Sequence, residues 1–153
     1  MGYCDRAKIQ RVKQGENDMD QMLSKWQPTA LSLFRFITGL LLLQYGIAKI
    51  FKFPVLPYFA NIPPLITTAG ALELILGALL MIGLFTRISA FILSGEMAFA
   101  YFLGHMFKKP EEPVFLPLLN GGTAAILFCF ACLYLFFAGG GVWSLDAMMG
   151  KKR

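Results

Sequence analysis

The stretch LSLFRFITGLLLLQYGIAKIF, Leu31–Phe51, reads as a membrane-crossing helix, yet it carries Arg35, Gln44 and Lys49. A hydrocarbon core takes roughly 20 apolar residues of helix to cross. On a translocon-insertion scale, a cation near the helix centre costs about 2.5–3.5 kcal/mol. A guanidinium at that depth requires compensation from the rest of the chain.

The 153 residues are 57% hydrophobic and only 15% charged. A soluble domain of this length cannot bury that much apolar surface, so the bilayer is the expected solvent. Four apolar runs are long enough to span it: Thr29–Phe51, Leu65–Phe85, Ile88–Phe107 and Leu118–Ala138. They predict an all-α membrane protein, an antiparallel bundle of four transmembrane helices forming one domain over residues 29–153.

The net charge of +5 does not point to nucleic acid, because the basic residues are scattered among ends and loops. Their distribution gives topology instead. With four spans both termini share a side, which holds Arg6, Lys8, Arg11, Lys13, Lys25, Arg87, Lys151, Lys152 and Arg153. The other side holds Lys52, Lys108 and Lys109. That bias predicts both termini in the cytoplasm. Three cysteines are too few for a disulfide framework, and residues 1–28 lack the apolar core of a signal peptide.

Residues 1–28 read as a polar cytoplasmic tail. Met19, Met22, Leu23 and Trp26 recur at i, i+3, i+4 and i+7, the pattern of a short amphipathic helix on the membrane surface. Pro28 is placed for the first turn of span one. The turn Gly83–Arg87 is short enough to make spans two and three antiparallel neighbours.

At about 100° per residue, Arg35, Gly39, Leu42, Gly46 and Lys49 share one stripe of span one. Gly70, Glu73 and Gly77 make a matching stripe on span two, and Ser89, Glu96 and Leu103 line up on span three. Small residues on such stripes let helices approach closely. Counting 1.5 Å per residue, Arg35 lies roughly 9 Å inside its helix end, and Glu73 and Glu96 each roughly 12 Å inside theirs. The expectation is a buried cluster of Arg35, Glu73 and Glu96. Such a cluster serves either to fix helix register or, with one cation facing two carboxylates, to hold a proton for quinone-coupled chemistry or transport.

A second polar layer is expected nearer the outer surface, from Tyr45, Lys49, His105 and Asn120. An ideal helix puts His105 about 180° from Glu96, so the two share an interior only if the helix breaks near Gly104. A single histidine predicts no metal site. Cys129 and Cys132 form C-x-x-C, but Cys129 lies deep in its predicted helix, away from the N-terminus that lowers a thiol pKa, and packing is the better explanation.

The polar stripe and its punctuation resemble the DoxX family of small four-helix membrane proteins. The matching segments are LSLFRFITGLLLLQYGIAKIF, GALELILGALLMIGLFTR, LSGEMAFAYFLGH, LNGGTAAILFCF and GVWSLD, within Ala30–Met148. The resemblance puts Arg35, Gly46, Lys49, Glu73, Gly77, Arg87, His105, Asn120, Gly121, Gly122 and Trp143 on the family's characteristic positions. Tyr45 stands where relatives often carry His, and Thr123 where they often carry an acid.

The resemblance implies a multi-pass protein of the bacterial inner membrane, associated with quinone-linked oxidoreductases. Quinone is the expected small molecule, with no covalently bound cofactor. Membrane lipid is an expected partner, together with a larger membrane complex or further copies of the chain, and no nucleic acid. The chain carries no flavin, haem or iron–sulfur signature, which favours a subunit over a stand-alone enzyme. A non-catalytic scaffold or accessory subunit, and a small proton or solute transporter, are the competing readings.

Overall fold

The computed structural model describes residues 3–59, 62–108 and 111–150, with side chains before residue 14 and at Glu16 and Tyr58 left aside. Cationic positions of the topology count at Arg6, Lys8, Arg11, Lys13, Lys109, Lys151, Lys152 and Arg153 therefore lie outside the described residues or side chains. The helices are α1 (Tyr3–Ile50), α2 (Pro64–Ile82), α3 (Thr86–Phe99), α4 (Pro117–Asn120), α5 (Thr123–Ala138) and α6 (Leu145–Met148). A wider π-helical stretch, Ala100–Met106, continues α3. No strand occurs among the described residues.

Three helical stretches are long and apolar enough to cross a membrane: Asn17–Ile50, Pro64–Ile82 and Thr86–Met106. The fourth apolar helix, α5, has 16 residues and falls short of that length. The expected span Leu118–Ala138 is broken at Asn120-Gly121-Gly122. Gly121 adopts a left-handed backbone with φ of 74°, and the Gly122 N–H donates to Asn120 Oδ1 at 2.7 Å. This local side-chain turn competes with helix continuation.

The tail and the first span are one helix, which corrects the expected separate amphipathic segment. Pro28 lies inside α1, where its missing N–H forfeits one backbone bond. Apolar and helix-forming residues continue on both sides, so the helix persists. The Ser32 hydroxyl donates to the Pro28 carbonyl at 2.8 Å. Met19, Met22, Leu23 and Trp26 are all exposed on this helix.

Two close helix pairs, α1 with α2 and α3 with α5, build the bundle, and α2 packs on α3. Gly39 and Gly46 face Gly77 and Gly70 across the first pair. A Cβ at Gly39 would strike the Met81 backbone, and one at Gly46 the Leu74 backbone. Glycines seven residues apart on each helix thus bring backbone onto backbone, the close approach that small residues permit within a membrane. Leu42, Leu80, Leu93, Cys132 and Leu135 fill the core between the pairs.

Candidate functional site

The register of α1 on α2 decides where each charge goes. With Gly39 against Met81 and Gly46 against Leu74, Arg35 comes to lie against Gly83, the left-handed C-cap of α2. Gly83 is ten residues beyond Glu73, or roughly 15 Å along the helix axis. The expected cluster of Arg35 with Glu73 and Glu96 therefore does not form.

Arg35 is 2% exposed, and its guanidinium is surrounded by carbonyl oxygens instead of carboxylates. Nε donates to Gly140 O at 2.8 Å, Nη1 to Leu80 O at 2.6 Å and to Met81 O, and Nη2 to Trp143 O at 3.0 Å. Leu80 and Met81 belong to the last turn of α2, whose carbonyls lack partners within the helix and carry its negative dipole end. Asp146 completes this end of the bundle. Its carboxylate accepts from Phe85 N and Thr86 N at 3.0 and 2.9 Å, at the start of α3. These contacts tie the chain beyond α5 to the α2–α3 turn.

Glu73 pairs with Lys49, a residue expected in a separate layer. Lys49 Nζ lies 2.6 and 2.7 Å from the two carboxylate oxygens of Glu73, which is 2% exposed. The ammonium also sits 5.9 and 5.8 Å from the ring centroids of Tyr45 and Phe59, within cation–π range. A sequence signal for this pair existed: Lys49 follows Gly46 by three residues and Glu73 follows Gly70 by three. Both acidic and basic side chains thus extend from the glycine seam.

Glu96 is the unmatched member. Both of its carboxylate oxygens are buried, and neither has a hydrogen-bond partner among the described residues. It lines a half-open cleft of about 1070 Å³ together with Tyr45, Lys49, Glu73 and His105, between walls that include Phe91 and Phe128. Tyr45, Lys49 and His105 of the expected outer layer thus meet the two expected carboxylates in one cleft, while Asn120 and Arg35 lie outside its lining.

His105 reaches the cleft because Ala100–Met106 is π-helical, which shifts the register past Glu96. Its Nδ1 lies 3.1 Å from Asn120 O. A carbonyl only accepts, so Nδ1 carries the hydrogen, and Nε2 is left as the second proton-exchanging position of the ring. Asn120 is engaged in shaping the break before α5, its Nδ2 donating to Val114 O at 2.8 Å. Two further residues were not singled out from the sequence. Tyr101 donates its hydroxyl to Phe115 O at 2.7 Å, and Ser94 donates to Cys129 O at 2.9 Å. Cys129 lines the cleft, whereas Cys132 is fully buried in the core.

The cleft thus combines apolar walls, an engaged ion pair, an imidazole and a carboxyl without a hydrogen-bond partner among the described residues. The DoxX family profile matches residues 30–106 of the chain. A protein of Haemophilus influenzae, described as an uncharacterized protein, is 38% identical over 133 residues, covering 85% of this chain and 98% of the relative. No solved structure matches.

Proposed function

The chain belongs to the DoxX family, and from that premise we propose that it is a bacterial inner-membrane subunit whose cleft receives quinone in a redox complex. The observation that carries this reading is Glu96, a buried carboxyl with no hydrogen-bond partner among the described residues, on the wall of a large apolar cleft beside Lys49 and Glu73. A quinone headgroup is flat and apolar with two carbonyl acceptors, and it arrives from lipid. Apolar walls with few convergent polar groups are the expected surroundings for such a ligand.

Quinone reduction consumes two electrons and two protons. The residues at hand serve the protons: Glu96 and His105 each present an atom able to hold one next to the ligand. Lys49 stays paired with Glu73 and sets the local potential. The electrons come from a partner, which is why the reading is a subunit. Four helices cross the membrane in this reading, with α4 completing the short α5, and both termini are cytoplasmic.

The test is retention of quinone. Protein purified from native membrane in mild detergent, or incubated with decylubiquinone, is expected to keep quinone through gel filtration, and Glu96→Gln and Glu73→Gln are each expected to lower the amount. Absence of quinone from both preparations would remove this reading and leave a non-catalytic accessory subunit.

A further inference from the structure

We propose that the same cleft binds lipophilic cations bearing N–H donors, such as protonated aromatic amines, with the cationic nitrogen taking the place of a proton on Glu96. The charge count of the cleft motivates this. Lys49 is engaged by both oxygens of Glu73, so Glu96 has no countercharge of its own and holds a proton until a cation takes its place. Its two buried oxygens lack a donor among the described residues. Once that proton leaves, the carboxylate takes donors and positive charge from whatever enters, and it disfavours an anion.

The walls select the kind of cation. Tyr45, Phe91 and Phe128 line the cleft, and aromatic faces attract cations. A volume of about 1070 Å³ is at the upper end of what drug-sized ligands occupy, so a bare metal ion would leave it unfilled. Glu96 belongs to one of the stretches long and apolar enough to cross a membrane, so the ligand must partition into lipid. The titratable and charged groups around the bound cation are Tyr45 and Lys49 from α1, Glu73 from α2, His105 from the wide turn and Cys129 from α5. The proposal stands without the quinone reading, since it needs only the carboxylate and the walls.

The probe is proflavine, a flat fluorescent amine that is cationic at neutral pH. Acridine, its parent ring, is uncharged there and serves as the control. Fluorescence anisotropy of the detergent-solubilised full chain is expected to show proflavine bound. Glu96→Gln is expected to weaken it by at least about tenfold while leaving acridine unchanged. Equal proflavine affinity for wild type and Glu96→Gln would overturn the proposal. A second measurement needs no variant. Dicyclohexylcarbodiimide couples to protonated carboxyls in apolar surroundings, and proflavine is expected to slow its coupling to Glu96 as read by mass spectrometry. Coupling at an unchanged rate would also overturn it. Decylubiquinone separates the two ligands. Proflavine binding without quinone retention supports the cation site and removes the quinone reading; quinone retention without proflavine binding does the reverse.

Discussion

Lys49 places its ammonium 2.6 and 2.7 Å from the two oxygens of Glu73, across the seam where glycines hold α1 against α2. Burial makes this pair one-sided in its energetics. Forming it gains little over an apolar pair, because both ions leave water, but removing one partner strands the other. Lys49→Met is therefore predicted to destabilise the protein by about 3–5 kcal/mol. Lys49→Met combined with Glu73→Leu is predicted to recover most of that. Thermal unfolding in detergent measures both, and a Lys49→Met protein as stable as wild type would mean Glu73 finds another donor.

Arg35 follows a different logic, since its partners are neutral. Arg35→Met leaves the carbonyls of Met81, Gly140 and Trp143 without that donor, whereas Leu80 O keeps the Gly83 N–H at 3.1 Å. Each buried acceptor left unsatisfied costs about 1–3 kcal/mol. Arg35→Lys is predicted to recover only part, because three donors on one nitrogen do not reproduce a planar fork of five. Adding Glu73→Gln or Glu96→Gln to Arg35→Met is predicted to bring no recovery. Recovery by either would show that Arg35 serves as a countercharge to the carboxylates.

The glycine seam predicts a contrast between two substitutions of the same size. A Cβ at Gly46 meets the Leu74 backbone, which belongs to the facing helix and cannot move alone. Gly46→Ala is predicted to destabilise by about 1–3 kcal/mol through overpacking. Gly15 has nothing near its Cβ position among the described residues and lies in the interior of α1. Gly15→Ala is predicted to stabilise by about 0.5–1 kcal/mol through backbone entropy. Similar unfolding temperatures for the two variants would mean that α1 and α2 slide apart without penalty.

Much of the helical framework was legible in the sequence, because apolar runs and glycine stripes are periodic and local. The pairings of Arg35 and Glu73 were not. Depth estimated from each helix end separately allows several ångströms of offset, and that offset decides whether Arg35 meets Glu73 or the end of α2. The carbonyls of Gly140 and Trp143 come from the far end of the chain, and no side-chain type advertises them. Lys49 escaped as the partner of Glu73 because its place near the outer end of span one set it in a separate polar layer, whereas its long stem reaches inward along α2 past Gly70. The break before α5 was partly legible in Asn120-Gly121-Gly122, whose residue types favour a turn.

Topology rests on the distribution of basic residues, nine expected on one side and three on the other. A reporter fused after Arg153 is predicted to be active only in the cytoplasm. A second reporter inserted after Glu112, in the connection between the third and fourth apolar segments, is predicted to be active only outside. Activity of both fusions on the same side would exclude a fourth crossing by α5.

The wide turn Ala100–Met106 is what brings His105 into the cleft with Glu96. The two residues are nine positions apart, which on an ideal helix sets them on opposite sides. A π-helical turn accommodates extra residues, so deleting one is predicted to return the segment towards ordinary α-helical register. Gly104 is suitable for deletion, since nothing packs on its Cβ position. Removing one residue leaves His105 eight positions from Glu96, about 80° round an ideal helix, so the deletion is predicted to keep the imidazole on the cleft side. Quinone retention is then predicted to stay at the wild-type level, whereas His105→Ala is predicted to lower it. A deletion variant that loses quinone as His105→Ala does would mean that the wide turn itself, which seats the buried Tyr101 and Met106, is needed to shape the cleft.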